Sequence, residues 1–224
     1  METIVISLGG SAIIPDKVDY KFLEAFKKVI LKHKKYKFII VTGGGKTARN
    51  YIEAVHKEKL SEKIASIVGI ASTKLNAKLV AGFFKIKTAI PETLAQLKKQ
   101  KGRIIICGAL GHRPGLTSDA NAAEIAQITK AKYFINMTNV KGLYTKDPKK
   151  YKTAEFVKEI SHKDFNNIIK KIKYKAGQHF VLDQVASKII KQNKISTIIL
   201  KGNNNLDKVL SNKNYQGTII FSSA

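Results

Sequence analysis

The sequence predicts an α/β fold, a mainly parallel sheet with helices over both of its faces. Two observations carry that expectation. Short runs rich in Ile and Val alternate along the whole chain with longer segments whose apolar residues recur at helical spacing. The runs IIVT, IIIC and TIIL are apolar throughout or nearly so, as strands buried on both sides are.

In order, strands are expected at 3–8, 38–42, 85–90, 103–107, 133–137, 197–200 and 218–221. The segment VDYKFLEAFKKVILKHKK carries Phe22, Phe26, Val29 and Ile30 on one side with lysines opposite, which predicts a helix. KTARNYIEAVHKEK predicts a second helix directly after a glycine run. SDANAAEIAQITKA predicts a third, with Ser118 or Asp119 as its N-cap. SHKDFNNIIKKI and FVLDQVASKIIKQN predict two more before the strand TIIL. No internal repeat or low-complexity linker interrupts the chain, and 224 residues fit one domain. Its two halves are expected to meet near residue 125, as 1–125 and 126–224.

A hydrophobic content of 44% with four prolines reads as a chain that folds. METIVISLGGSAIIP has no basic leader, and no stretch nears the ~18 apolar residues of a membrane span, so a cytoplasmic protein without a membrane partner is expected. The single cysteine, Cys107, lies in the apolar run IIIC and reads as a buried thiol. The five histidines share no metal-ligand spacing with it, and no protein-held metal is expected. The net charge of +25 favours anionic partners, namely nucleic acid, anionic membranes or phosphorylated small molecules. Its lysines are spread over every segment without interleaved aromatic residues, which makes nucleic acid the poorer fit.

Ligands of parallel sheets bind beyond the carboxyl ends of the strands. The first expected strand is followed by GGS, the second by GGGK, the run IIIC by GALGHRPGLTSD, and FINM by TNVKGLYTKDP. Gly43, Gly44 and Gly45 stand between strand and helix, where a turn or a close backbone approach is needed and backbone N–H groups can face a phosphate. Lys46 and Arg49 fall in the first turn of the helix that follows. Cations there oppose the helix dipole, a cost that facing phosphates would offset, although a tight turn with two solvated side chains is the alternative. GGGK is not the nucleotide P-loop, and GGSAIIP does not continue as a dinucleotide fingerprint. In the third loop Arg113 offers a phosphate fork, Thr117 and Ser118 offer hydroxyls, and Asp119 either caps a helix or orients lysines. The fourth loop offers Thr138, Tyr144 and Asp147, a set suited to a base and a ribose.

SLGGS, TGGGKTARNYI, PGLTSDANAAEIA, TNVKGLYTKDPKK and VLDQVASKII, in this order and spacing, resemble the uridylate kinases of the amino acid kinase superfamily, most closely the archaeal branch. The resemblance implies a three-layer α/β/α sandwich with a mainly parallel central sheet. It implies transfer of the γ-phosphoryl of ATP to UMP with Mg²⁺, in a homo-oligomer, commonly a hexamer. By the same resemblance Gly9, Gly10, Ser11, Gly45, Arg49, Thr138, Tyr144 and Asp147 lie on the ATP side. Gly44, Ser66, Arg113, Pro114, Gly115, Leu116, Thr117, Ser118 and Asp119 lie on the UMP side, and Lys46 and Asp119 serve the transfer itself.

The chain departs from that pattern in three places. Ser7-Leu8 stands where many relatives place a lysine, leaving Lys46, Lys175 or Lys188 to supply the charge. Ser66 stands where relatives place an aspartate on the UMP ribose. The loop containing GHR is longer than usual. These departures leave open a kinase of the same fold acting on another small phosphate such as isopentenyl phosphate, or a nucleotide- or nucleic-acid-binding protein without catalysis.

Overall fold

The computed structural model describes residues 1–111, 116–146, 151–171 and 181–222. Its main sheet has seven strands in the order β3-β2-β1-β4-β8-β9-β7. They are β1 (Glu2–Leu8), β2 (Tyr36–Thr42), β3 (Ile104–Cys107), β4 (Tyr133–Met137), β7 (Glu159–Ser161), β8 (Thr197–Leu200) and β9 (Gly217–Phe221). A two-stranded antiparallel ribbon, β5 (Leu143–Tyr144) with β6 (Phe156–Val157), lies outside it. β1 sits in the middle, with Ile6 opposite Ile40 of β2 on one side and Ile135 of β4 on the other, both parallel. β3 extends the sheet parallel to β2, and β8 parallel to β4. β9 and β7 break the sense: β9 runs antiparallel to β8, and β7 runs parallel to β9. The carboxyl ends of β3, β2, β1, β4 and β8 therefore share one rim.

Side-chain alternation along the strands builds two cores. Ile4, Ile6, Phe38, Ile40, Ile135 and Ile198 point to one face. There they meet Leu23, Phe26 and Ile30 of α2 (Tyr20–Lys32), Ala77 and Val80 of α4 (Glu62–Phe83), and Leu206 and Val209 of α9 (Asn203–Leu210). Val5, Ile39, Val41, Phe134 and Ile199 point to the other face. They meet α6 (Ser118–Ile128), α7 (His162–Lys171) and α8 (Gln184–Gln192). Ala122, Ala123 and Ala126 let α6 lie close on the sheet. Helices cover both faces, the three layers that the sequence implied. α1 (Gly10–Ile13), α3 (Gly45–Lys57) and α5 (Leu94–Lys99) complete the described helices. Cys107 is fully buried, and burial pushes its thiol up to about 12.

Three sequence expectations need correction. Residues 85–90 form no strand. α4 ends instead in a turn with Lys85 at φ 54, the amide of Ile86 returns to Ala81 O at 3.0 Å, and Ile86 and Ile90 pack down as loop residues. α6 is capped by Thr117, whose Oγ1 accepts from Ala120 N at 3.1 Å, and not by Ser118 or Asp119, which lie inside the helix. The 22-residue α4 was not foreseen, and neither was its apolarity. It is long and apolar enough to cross a membrane by length and composition, with a mean hydropathy of 1.3 over 18 residues. One side of it packs against the sheet, with Ala77 and Val80 in the core and Ser72, Thr73 and Asn76 buried, while 39% of its apolar window is buried in all.

Candidate active site

The two glycine turns at the centre of the rim are built against each other. A methyl group at Gly10 would stand 1.9 Å from Gly45 N, and one at Gly43 would stand 2.5 Å from Gly10 N. Gly45 has φ +65, the left-handed region that side chains disfavour, and its own methyl would meet Gly10 O at 2.5 Å. The glycines thus first serve a backbone-to-backbone contact between the turn after β1 and the turn after β2. Ladder bonds carry this order past the strand ends. Gly43 N donates to Leu8 O at 2.9 Å, Gly9 N to Met137 O at 3.0 Å, and Thr138 N to Leu200 O at 3.0 Å. Asn76 of α4 reaches up and donates from Nδ2 to Gly43 O at 2.7 Å, locking the second turn from below.

Beside these turns lies a partly buried carboxyl. Ser7, fully buried at the end of β1, donates from Oγ to Asp119 Oδ1 at 2.6 Å. The Asp119 carboxyl is raised to about 7, by burial foremost and also by the negative charge of Asp183, against the hydrogen bond from Ser7, which lowers it. Asp183 caps α8, its Oδ1 accepting from Val185 N at 2.7 Å and Ala186 N at 2.9 Å, while its Oδ2 accepts from the Thr117 hydroxyl. The N-termini of α6 and α8 are thereby tied through one aspartate. Asp183 was missed at the sequence level. Its signal was the N-cap position ahead of QVASKII, which reads as capping until the fold sets it beside Thr117 and Asp119.

The other expected residues among those described sit on several different elements. Ser11 lies in α1, immediately after the interlocked Gly10. Lys46 and Arg49 occupy the first turns of α3. Lys46 N donates to Ile14 O at 3.1 Å, and Arg49 Nη2 reaches Pro15 O at 3.5 Å. Gly44 caps α3, and a methyl there would stand 2.4 Å from Ala48 Cβ and 3.5 Å from Gly69 O of α4. Ser66 lies on α4 about one turn ahead of Gly69. Leu116 packs on the core beneath α6, and Ser118 opens that helix. Tyr144 lies in β5 with its ring edge-on to Phe156, centroids 5.5 Å apart, and Leu143 N hangs the ribbon on Thr218 Oγ1 at 2.8 Å. Arg113, Pro114, Gly115, Asp147 and Lys175 lie outside the described residues. Lys188 is exposed on α8.

Among the described residues, no group of three or more His, Cys, Asp or Glu side chains stands together as a metal cage. A cavity of about 150 Å³ opens elsewhere, where Ile86, Ile90 and Gln100 face β3, away from the chemistry of the rim.

The chain matches the sequence model of the amino acid kinase family across residues 2–201. It is 34% identical to the uridylate kinase of Methanococcus aeolicus, over 97% of this chain and 98% of that protein. Identity to the uridylate kinase of Methanocaldococcus jannaschii is 36%, over 89% and 90% of the two chains. The crystal structure of uridylate kinase from Archaeoglobus fulgidus superposes with a TM-score of 0.85 at 32% identity, covering 98% of this chain and all of the other.

Proposed function

Because the chain belongs to the amino acid kinase family, we propose that its rim transfers the γ-phosphoryl group of ATP to UMP, giving UDP and ADP. Similarity to archaeal uridylate kinases over nearly the whole chain supports this activity. The observation that carries it onto these residues is the interlock of Gly9-Gly10 with Gly43–Gly45. Two turns on neighbouring parallel strands, each opening a helix, give two phosphate-facing backbones within contact of one another.

On this reading Gly9, Gly10, Ser11, Gly45 and Arg49 hold the ATP phosphates, and Thr138, Tyr144 and Asp147 face its adenosine. Gly44, Ser66 and residues 113–119 hold UMP. The halves 1–125 and 126–224 then serve acceptor and donor respectively. Phosphoryl transfer asks for alignment and charge neutralisation more than covalent chemistry, and an acceptor that is already a phosphate dianion needs no general base. Lys46, at the start of α3, supplies positive charge to the moving group. Asp119, raised to about 7, repels the phosphates less than a fully ionised carboxylate would. Mg²⁺, when bound, would neutralise phosphate oxygens. With no cage of protein carboxylates among the described residues, its ligands would be mostly phosphate oxygens and water, which suits this ion. The same reading proposes a cytoplasmic protein of pyrimidine nucleotide synthesis and a homo-oligomer, by resemblance a hexamer.

Incubation with Mg-ATP and UMP, followed by chromatography, tests the proposal. UDP and ADP should form in equal amounts, and a Gly44→Asp variant should form far less. Consumption of ATP without UDP, or no turnover at all, contradicts it.

A further inference from the structure

We propose that the end of the sheet opposite the rim binds double-stranded nucleic acid through its phosphates. The amino ends of β3, β2, β1, β4 and β8 share that end, because these five strands are parallel. At or just ahead of the start of four of them stand KKQKGR (98–103), KKYK (34–37), KAK (130–132) and KQNK (191–194). These segments lie far apart in the chain, and together they hold eleven Lys or Arg and no Asp or Glu. Ladder bonds keep them in register. Phe38 N donates to Arg103 O and Lys132 N to Thr3 O, each at 2.8 Å, and Lys37 lies opposite Thr3. Cations spread along the sequence are thus gathered in space.

Little on the protein neutralises them. Nine of the eleven are exposed, and Lys37 and Arg103 are half-buried. Among the described residues Lys132 alone of the eleven has an ion-pair partner, Glu2 at 2.9 Å. Helix dipoles account for cations in the last turns of α5 and α8, which hold Lys98, Lys99 and Lys191. They do not account for Lys37 inside β2 or Arg103 at the threshold of β3. A strip of like charge this dense is relieved by an anion that repeats along its length.

Size and chemistry select the occupant. Neighbouring strands lie ~4.8 Å apart, so the strip from β3 to β8 is about 19 Å long. A duplex carries one charge per ~1.7 Å of its axis, and over that length its near side presents about five phosphates. Tyr36 is 2% exposed, and Lys35 Nζ stands over its ring at 5.0 Å from the centroid. With that ring covered, the four segments offer unpaired bases nothing to stack on, which favours a duplex held by its backbone without regard to sequence. No large apolar side chain in them is exposed to dip into a membrane. The strip and the rim lie at opposite ends of the strands, so the inference does not depend on which substrates the rim takes.

Fluorescence anisotropy with a labelled DNA duplex of arbitrary sequence tests it. Binding by the full chain at about 50 mM salt should weaken roughly 100- to 1000-fold by about 200 mM, as about five phosphate contacts require. Lys35→Gln/Lys101→Gln/Lys130→Gln/Lys194→Gln should lower the slope of log affinity against log salt by about 3–4. The charge-matched Lys21→Gln/Lys63→Gln/Lys152→Gln/Lys158→Gln, exposed lysines away from the strip, should bind nearly as the wild type does. Both should keep the wild-type far-UV circular dichroism. On the unaltered protein, the duplex should shield the lysines of the four segments from acetylation and leave Lys46 at the rim open. No binding at low salt, equal weakening in the two variants, or shielding of Lys46 in place of the strip overturns the inference. Tighter binding to a single strand, or to vesicles containing phosphatidylserine, overturns it too. UDP formation by a protein that binds no duplex would sink this inference and leave the proposed activity standing.

Discussion

Gly10 and Asp119 are the residues on which the site is most finely balanced. Gly10→Ala places a methyl group 1.9 Å from Gly45 N, a backbone atom that cannot swing aside. We expect it to cost on the order of 2–4 kcal/mol in chemical denaturation and to remove most kinase activity, because the turns can separate only by leaving register. Asp119 gives a prediction in pH. Its carboxyl in the folded chain is raised to about 7, above the 3.8 of an ordinary aspartate. As pH rises from about 4, the unfolded chain releases this proton while the folded one retains it, so stability falls until about pH 7 and then levels. Asp207 acts in the opposite sense. Its carboxyl is held below the ordinary range by Lys32 and His33, so its contribution is lost as the solution is acidified. Subtracting Asp119→Asn from wild type isolates the first effect. The variant should gain in relative stability by roughly 3 kcal/mol between pH 4 and pH 7, read from urea midpoints. A flat difference would place Asp119 at an ordinary carboxylate value.

At the scale of elements, side chains that leave one helix to hold a loop of another part of the chain decide the geometry. Asn76→Ala deletes the 2.7 Å bond to Gly43 O and leaves that carbonyl buried without this donor. We expect a loss of about 1–3 kcal/mol and a raised KM for both substrates, measured by denaturation and initial rates. Thr117→Ala removes an N-cap and the tie to Asp183, at about 1–2 kcal/mol. Much at this scale was legible beforehand. IIVT, IIIC, FINM and TIIL became β2, β3, β4 and β8 because continuous burial leaves no other use for such runs. α4 was not legible, since SIVGIASTKLNAKLVAGF is apolar on the outside as well as the inside and carries no clean stripe. The expected strand at 85–90 failed because its alternation serves a loop that packs Ile86 and Ile90 inward without a strand to pair with. The glycine turns were visible in the sequence, but their contact with one another was not. A run of glycines signals close approach without saying what approaches.

The whole molecule is a sheet that delivers five parallel strand ends to one rim and leaves the chemistry to the loops. Ser7 at the end of β1 shows the limit of reading this from sequence. As a letter it marked a missing lysine, whereas in the fold it is the hydroxyl that holds Asp119 at 2.6 Å. Removing divalent cations with a chelator should stop UDP formation while leaving the melting temperature unchanged, since no metal cage among the described residues supports the fold. Metal-dependent unfolding would point to a structural ion instead. The most direct measurement is a crystal structure with UMP and a non-hydrolysable ATP analogue bound together. The account predicts the two phosphate chains end to end over the amides of Gly9–Ser11 and Gly43–Lys46, with Asp119 beside the gap between them. Either ligand lodged in the cavity between Ile86 and β3, or the two held apart on separate faces, would contradict it.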